Sequence, residues 1–345
     1  MSLALKPTTL EEILVDLKNG ARVDPACRAL LTELEAVLAR GVALERAVAE
    51  RLPAICFELG TLRNRGLVHH DEQEILRRTC VAVFGLSVGS NVALTWMTLA
   101  RADVIKVADF DTVSPANLNR LRVGWSAVGR LKADVVREQI QEIHPTARVE
   151  ALASKASTSA LDEWLSGTPR VDVIVDEVDD FATKLFLRRW ARAHRVPLVQ
   201  GSDVGESIYV DVERYDLDPQ PELFLGKLPG IETVDFAKLA PKDWVRLLTQ
   251  YLEVDRVCEE RMQEAVLAFS RGELAGVPQL GSVAAMAGGA VASAIKKIRL
   301  GGDVHSGRYT IGLDRLFCAD YDGPSRAHVR EQNGRALRAA TGLLE

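Results

Sequence analysis

The central part of the chain alternates short apolar runs with longer amphipathic segments. The apolar runs predict buried strands at residues 81–84, 104–108, 148–153, 171–175 and 196–200. Segments whose apolar residues recur at helical spacing predict helices at 89–101, 127–143 and 181–194. This alternation is typical of an α/β fold, in which a doubly wound, mostly parallel sheet carries helices on both faces. In such a sheet, ligands usually bind in a crevice at the carboxyl ends of the strands.

Helical spacing also covers the first part of the chain, from residue 3 to about 60. Apolar residues in this pattern include Leu10, Ile13, Leu14 and Leu17. The spacing predicts a helical N-terminal arm or cap that precedes the α/β part. The resulting division is an arm at 1–62, a main α/β domain at 63–325 and a polar tail at 326–345.

Beyond residue 201 the pattern changes. Residues 207–214 alternate like a half-exposed strand, and 215–230 are rich in Pro, Asp and Gly, which predicts a long loop. The tail past Pro324 is basic and polar, so we expect it to be partly disordered. The other predicted elements are helices at about 241–253, at 255–271 and from 281 onward, and a strand pair at 307–318.

Small residues mark the helix predicted from residue 281. Ala284, Gly288 and Ala292 recur along one side of it, a pattern that suits close helix packing. The apolar window at 280–295 is shorter than the ~20 residues that span a bilayer. We therefore predict a buried helix and no membrane partner. The small-residue side also offers a packing surface for a homodimer.

Composition narrows the classes of partner. The chain has 345 residues, of which 47% are hydrophobic, so it can bury a sizeable core. Its net charge of −5 gives no bias toward nucleic acid or an anionic membrane. Five scattered cysteines include no CxxC pair, so we expect no zinc. Unpaired thiols favour a reducing, cytoplasmic compartment.

The turn after the first predicted strand runs from Gly85 to Ser90 (GLSVGS). Residues without a bulky Cβ let the backbone approach a phosphate, and the helix that follows offers free N–H groups. Compared with the dinucleotide fingerprint G-x-G-x-x-G, Ser87 replaces the middle glycine and Gly89 comes one position early. The strand, turn, helix and next strand predict a Rossmann-like nucleotide-binding unit, although a mere tight connection would also explain the turn.

Asp109 and Asp111 end the second predicted strand. An acid at this place in a strand–helix–strand unit can bind a ribose hydroxyl. Strand periodicity directs both carboxylates to the same side. The alternative is that they are solvated turn residues.

Three polar residues follow in the next loop and helix: Asn117, Arg120 and Lys132. A dehydrogenase holds its pyrophosphate mainly with backbone amides, whereas this loop adds cationic side chains beside the same crevice. Such a set suits a triphosphate, whose charge is redistributed during transfer. Taken singly, each of these residues could equally belong to the solvated surface.

The fourth predicted strand ends in the acidic run VDEVDD, residues 175–180. Carboxylates at this edge can hold Mg²⁺ bound to phosphates. Asp179 is the first candidate ligand and Asp176 the second. The alternative role for Asp179 or Asp180 is to cap the next helix.

Residues 81–180 resemble the superfamily of ThiF, MoeB and the ubiquitin-activating enzymes. Five motifs occur in that family's order, and they are specific as a set. They are the turn from Gly85 to Ser90, Asp109-Phe110-Asp111, Asn117 to Arg120 (NLNR), Gly129 to Lys132 and Asp176 to Asp179.

The resemblance implies an ATP- and Mg²⁺-dependent adenylyltransferase that activates a carboxylate as an acyl adenylate and releases pyrophosphate. The implied substrate is the C-terminus of a ubiquitin-like or sulfur-carrier protein, or a peptide. A modified tRNA nucleoside is also used within the family, so a tRNA substrate stays open. The family also implies a homodimer.

The resemblance further assigns roles to individual residues. Gly85, Ser87, Gly89 and Ser90 would form the phosphate turn, with Asp109 and Asp111 beside the ribose. Asn117, Arg120 and Lys132 would hold the phosphates, and Asp179 the Mg²⁺, with Asp176 beside it. Arg65 lies where a partner's arginine reaches the phosphates in family dimers.

Several positions depart from the family pattern. Leu121 replaces the usual Gln after NLNR, and Asp180 replaces the usual Asn. The zinc-binding cysteine pairs of many members are missing. No cysteine lies between Gly201 and Val257, and Cys258 is predicted to be a structural thiol. These departures leave adenylation intact but argue against thioester transfer.

Two other functions compete with this prediction. A nicotinamide- or flavin-dependent oxidoreductase would explain the turn and Asp109, but it leaves Arg120, Lys132 and the acidic run unexplained. A non-catalytic binding protein on the same fold would explain the altered turn.

Overall fold

The computed structural model describes residues 6–218 and 222–343. Its centre is a seven-stranded sheet in the order β3-β2-β1-β4-β5-β6-β7. The first five strands run parallel, whereas β6 and β7 are antiparallel to their neighbours. The strands are β1 Val81–Phe84, β2 Val104–Ala108, β3 Arg148–Leu152, β4 Val173–Asp176, β5 Leu198–Val204, β6 Ser207–Glu213 and β7 Gly307–Gly312. The predicted doubly wound α/β fold is confirmed.

The helices before the sixth strand include the N-terminal arm and the crossovers of the parallel sheet. They are α1 Pro7–Ala21, α2 Pro25–Leu38, α3 Leu44–Ala49, α4 Leu52–Thr61, α5 His70–Arg78, α6 Gly89–Ala100, α7 Lys132–Ile143, α8 Thr158–Ser166 and α9 Phe181–His194. The later helices are α10 Pro241–Leu252, α11 Val254–Val257, α12 Glu260–Ser270, α13 Gly281–Arg299, α14 Leu313–Phe317 and α15 Pro324–Thr341.

The central strands are buried on both faces, which explains their continuous apolar runs. All residues of β1 and β4 are buried. Helices α6, α7 and α13 cover one face, where their apolar residues share a core with alternate strand residues. Helices α9, α10 and α12 contribute to the core on the other face. The sheet is thereby packed between two layers of helices.

The small-residue helix α13 packs on α6 within the same chain. A Cβ at Gly288 would lie 2.6 Å from the Asn91 carbonyl oxygen, so only glycine permits this approach. Ala284 and Ala292 on the same side are also buried. The helix is buried, as predicted. Its small residues are used inside the chain, however, and do not provide the dimer surface that we expected from the sequence.

The N-terminal helices α1 to α4 form a small apolar core of their own, which includes Leu17, Leu34 and Val48. This agrees with a helical arm or cap. Residues 1–5 of the predicted arm lie outside the described part of the chain. Within the described ranges, no helix combines the length and apolar character that a bilayer span requires.

Several predicted boundaries differ from the structure. The tail expected to be partly disordered forms α15, whose Leu337 is fully buried, while 344–345 lie outside the description. The strand pair expected at 307–318 is β7 followed by the short helix α14. Helix α7 starts at Lys132 rather than at residue 127, because 129–131 return to pair with the loop after β2. Part of the predicted loop, 219–221, is not described, and 223–226 form a tight turn in which Phe224 and Leu225 have positive φ.

Candidate functional site

The sheet order creates a crevice at the ends of β1 and β4. The chain moves outward from β1 through β2 to β3, then returns to place β4 on the other side of β1. The loops after β1 and β4 therefore diverge, and ligands of doubly wound sheets bind at such a switch point. Apart from Arg65, the residues that the sequence singled out lie at or after the ends of β1, β2 and β4, so they come to the same edge of the sheet.

The turn after β1 is closely packed against the loop after β4. Gly85 has a φ of +81°, and a Cβ there would lie 2.4 Å from the Glu177 carbonyl oxygen. Both facts require glycine. Helix α6 begins at Gly89, and the buried Ser90 hydroxyl donates to the Ser87 carbonyl at 3.0 Å. The turn therefore delivers the start of α6 to the crevice in a defined conformation.

Asp109 links the end of β2 to this turn. Its Oδ2 accepts a hydrogen bond from the Leu86 N–H at 2.7 Å, and its Oδ1 accepts one from the Asp111 N–H at 2.8 Å. Lys132 Nζ lies 3.6 Å from Asp109 Oδ2 and 3.0 Å from Asp111 Oδ2. The three predicted residues thus form one ionic group beside the glycine turn.

Arg120 reaches the same turn from the loop after β2. Its Nε donates to Ser87 Oγ at 2.8 Å, and Asn91 of α6 holds its backbone oxygen at 3.0 Å. Desolvation in the crevice lowers the pKa of Arg120, and the nearby carboxylates Asp203 and Asp179 oppose this shift. Ser87, which replaces the middle glycine of the fingerprint, therefore binds the Arg120 guanidinium.

Asn117 has a local contact instead. Its Oδ1 accepts a hydrogen bond from the Ser114 N–H at 3.0 Å and so caps the helical turn at 115–117. This bond shapes the loop that carries Arg120.

The two candidate metal ligands have different surroundings. Asp176 is fully buried, and its carboxylate is 2.5 Å from Arg188 NH1 and 3.3 Å from Lys184 Nζ. Burial by itself would raise its pKa, but these two cations lower it below its usual range. A carboxylate neutralised by two buried cations is poorly suited to Mg²⁺, so the structure argues against Asp176 as a ligand.

Asp179 faces the open crevice. The capping role belongs to its neighbour Asp180, whose Oδ2 accepts from the Thr183 N–H at 2.8 Å at the start of α9. No residue in 6–218 or 222–343 donates a hydrogen bond to the Asp179 carboxylate. The crevice walls desolvate this carboxylate and raise its pKa, although Lys184, Arg120 and Lys132 attract it. An open carboxylate near the cations Arg120 and Lys132 fits one ligand of a Mg²⁺ ion.

The sequence analysis missed Asp203, which lies at the end of β5. Its Oδ1 accepts a hydrogen bond from Gln279 Nε2 at 2.9 Å, and its Oδ2 is buried without a hydrogen-bond partner among the described residues. Burial raises the pKa of Asp203 to about 6. The available signal was an acid three residues after the apolar run at 196–200, since acids also follow the runs that form β2 and β4.

Arg65 lies away from the crevice within its own chain. Its guanidinium is 2.9 Å from Asp24 and 2.8 Å from Glu58, and both carboxylates belong to the N-terminal cap. Asp24, Glu58 and Cys27 form the one group in the described ranges that has metal-ligand proximity. Arg65 already neutralises its two acids, so the structure gives Arg65 a role in attaching the cap.

Cys258 is a structural thiol, as predicted. It is completely buried, and burial raises its pKa to about 12. Its sulfur lies 3.4 Å from the Tyr209 hydroxyl. A thiol that is neutral and inaccessible cannot serve as a nucleophile.

A doubly wound sheet with cations and an open carboxylate at its switch point defines a nucleotide-binding α/β protein. The model of the ThiF family matches residues 61–310, and the chain belongs to that family. The predicted family is thus confirmed.

Individual proteins resemble the chain to different extents. An uncharacterized protein of Mycobacterium tuberculosis, MT1398, is 34% identical over 261 residues, which cover 74% of this chain and 35% of that protein. The chain thus spans about a third of that relative's length. The molybdopterin-synthase adenylyltransferase of Haemophilus influenzae is 26% identical over 194 residues, 55% of this chain and 79% of the relative. Escherichia coli MccB, solved with ATP, shares the fold with a TM-score of 0.51 and 13% identity over 90% of this chain and 86% of MccB.

Proposed function

We propose that this protein is an ATP-dependent adenylyltransferase that activates a carboxylate. The observation that carries the proposal is the position of Arg120, Lys132 and Asp179 around the Gly85 turn. A dinucleotide oxidoreductase needs neither the two cations nor the open carboxylate. Membership of the ThiF family, a relative named as an adenylyltransferase and the ATP in the MccB structure support the same conclusion.

The proposed reaction relies on charge neutralisation and positioning. Asp109 lies on the ribose side, the start of α6 faces the phosphates, and Arg120 and Lys132 balance their negative charge. Asp179 would hold Mg²⁺, which supplies further positive charge to the phosphates. The substrate carboxylate attacks the α-phosphorus, the bond to the pyrophosphate oxygen breaks, and no general base is needed because the carboxylate is already ionised.

The proposed acyl substrate is the C-terminus of a ubiquitin-like or sulfur-carrier protein, or of a peptide. The Haemophilus influenzae relative is named as an adenylyltransferase of molybdopterin synthase, which supports a protein substrate. The buried state of Cys258 argues against a thioester formed on that residue. The family resemblance leaves a tRNA substrate open. None of the site residues described above favours a tRNA over a protein or peptide C-terminus.

Calorimetry and ATP–pyrophosphate exchange test the proposal. Wild-type protein should bind Mg·ATP and catalyse exchange with a suitable carboxylate. Asp179→Asn should retain ATP binding, lose its enhancement by Mg²⁺ and reduce exchange by roughly 100-fold or more, as expected when a transition-state charge partner is removed. The matched control is Asp180→Asn, because asparagine preserves a helix cap, and it should stay within about threefold of wild type.

Each competing function predicts another result. An oxidoreductase would be stabilised against heat by NADH and not by ATP. A binding protein would keep every measured property in Asp179→Asn. Absence of ATP binding in wild-type protein would contradict the proposal.

We further propose that the protein works in a reducing, cytoplasmic compartment and as a homodimer. The compartment is supported by the five unpaired cysteines. The homodimer rests on the resemblance alone, since α13 is occupied by α6. Light scattering tests it, and a monomer at micromolar concentration would count against it.

A further inference from the structure

Asp203 lies on the side of the crevice opposite the ribose position. The strand order places Asp109 after β2, the Gly85 turn after β1 and Asp179 after β4, with Asp203 at the end of β5. A nucleotide that runs from β2 toward β4 leaves the β5 side for the second reactant. If the nucleotide lies as proposed, Asp203 is on the side from which the acyl substrate would approach.

The side chain of Asp203 is held by a hydrogen bond from Gln279, on the side of the sheet that α13 covers. Gly201 and Asp203 share a face of β5, because side chains alternate along a strand. That face is covered by α13, since a Cβ on Gly201 would lie 2.9 Å from Val291. Gln279, just before α13, donates to Asp203 Oδ1 at 2.9 Å, while its own carbonyl accepts from Asn119 Nδ2 at 2.8 Å. The NLNR loop and Asp203 are thus connected through one residue.

The second oxygen of Asp203 lacks a partner. Oδ2 is buried and accepts no hydrogen bond from the described residues. A buried acceptor of this kind costs free energy unless a donor reaches it. Arg120 attracts Asp203 electrostatically, but its guanidinium makes no hydrogen bond to Oδ2, and its Nε and Nη1 are bound to oxygens of Ser87, Ala116 and Asn119. The missing donor therefore fits a group that arrives with the substrate.

We propose that Asp203 is a specificity-determining residue that accepts a hydrogen bond from the amide N–H next to the substrate's activated carboxylate. In a peptide C-terminus, this N–H belongs to the same residue as the carboxylate, so the two groups lie close together. Asp203 is on β5, next to the strand that leads to Asp179, and could therefore accept this N–H. The proposal rests on the proposed adenylyltransferase function. It adds the residue that would recognise the backbone of that substrate beside the activated carboxylate.

The test uses a matched pair of probes in ATP–pyrophosphate exchange. One is the peptide Ala-Ala-Gly-Gly, and the other is its depsipeptide, in which glycolate replaces the last glycine and an ester oxygen replaces the N–H. Wild-type protein should prefer the amide in kcat/KM by about 10- to 100-fold, the range of a hydrogen bond to a charged acceptor. In Asp203→Asn, the side-chain oxygen can still accept the hydrogen bond from Gln279, and the side-chain NH₂ group then faces the substrate as a donor. The variant should therefore prefer the amide by no more than about threefold.

Asp235→Asn is the control. Asp235 is a carboxylate like Asp203, but it lies on an exposed turn, where it accepts a hydrogen bond from the Ala237 N–H. It should keep the wild-type preference. Unchanged Mg·ATP affinity in Asp203→Asn shows that the crevice is intact. A reduced affinity, with the amide preference retained and a higher Mg²⁺ requirement, would overturn the proposal and make Asp203 a metal ligand.

Two further outcomes distinguish failure of the Asp203 proposal from failure of the proposed adenylyltransferase function. If wild-type protein binds Mg·ATP but exchanges with neither probe, or with both equally, the backbone-selection proposal fails while nucleotide binding stands. If wild-type protein does not bind Mg·ATP, the adenylyltransferase function itself fails.

Discussion

The contacts of Arg120 explain how a serine is accommodated in the glycine turn. The Ser87 hydroxyl accepts a hydrogen bond from Arg120 Nε, and the Ser90 hydroxyl in α6 donates one to the Ser87 carbonyl. Asp109 and Lys132 fix the other side of the same turn. At the scale of single residues, the serine in the altered fingerprint therefore binds the cation that we propose contacts the phosphates.

Replacement of Arg120 by alanine should weaken Mg·ATP binding by about 10- to 100-fold, because a charged hydrogen-bond donor to the phosphates is lost. Calorimetry measures the change. The control is Arg122→Ala, since Arg122 is an exposed cation two residues away. Equal effects of the two substitutions would mean that only the general charge of the loop matters.

His144 makes stability depend on pH. It is buried after α7, and burial, with help from Arg101, lowers its pKa to about 4. The unfolded chain, with a histidine pKa of about 6.5, binds more protons than the folded chain between these two values. Stability is therefore expected to fall as the pH drops from about 6.5 to 4, by at most about 3 kcal/mol from this residue.

Denaturant unfolding of His144→Gln across this pH range checks the prediction. The variant should show a shallower loss of stability than wild type, because the group that takes up the proton is absent. An identical slope would assign the acid sensitivity to other groups.

At the scale of elements, α13 matters because it supports both the glycine-turn helix and the NLNR loop. Gly288 permits contact with α6, while a Cβ at Gly281 would lie 2.2 Å from the Asn119 carbonyl oxygen. Gln279, just before the helix, binds Asn119 and Asp203. The helix thus joins the nucleotide side of the crevice to the β5 side.

Two adjacent glycines provide a matched test of this packing. Gly288→Ala should lower the free energy of unfolding by roughly 1–3 kcal/mol, because the new methyl group overlaps the Asn91 backbone. Gly289 is exposed, and a Cβ there meets no atom within 4 Å. Gly289→Ala should therefore stabilise the helix by about 0.5–1 kcal/mol. Chemical denaturation of both variants measures the contrast, and similar effects would contradict the close approach of α13 to α6.

At the scale of the whole molecule, a charged junction attaches the N-terminal cap to the α/β domain. Arg65 lies between Asp24 and Glu58, and His70 at the start of α5 is 3.2 Å from Glu58. These groups connect helices that otherwise have a separate apolar core. The junction therefore contributes to holding the cap on the domain.

Arg65→Ala should destabilise the cap by roughly 3 kcal/mol, because two largely buried carboxylates lose their shared cation. Limited proteolysis should then cut within residues 6–62 sooner than in wild type. The exposed neighbour provides the control, as Arg63→Ala should change little. Retained cap stability together with lost exchange activity would restore the role of Arg65 at a partner's phosphates.

The local pattern of the chain was sufficient to predict the parallel strands, the crossover helices and most of the crevice. Strand runs, the Gly85 turn, Asp109, Arg120, Lys132 and Asp179 are read from short segments, and parallel strands bring their ends to one edge of the sheet by topology. The family could be recognised for the same reason, because its motifs are local and keep their order.

Only the tertiary structure decided how these groups are paired. Asp176 and Asp179 look equivalent in sequence, yet Lys184 and Arg188 from α9 neutralise the first and leave the second open. Small residues in α13 predict close packing but do not name the partner, which is α6. Asp203 and Gln279 are far apart in the chain, and their contact exists because β5 and α13 pack together. Periodicity and motif spacing thus determined the elements and the chemistry at strand ends, whereas long-range packing decided which charges remain available for a ligand.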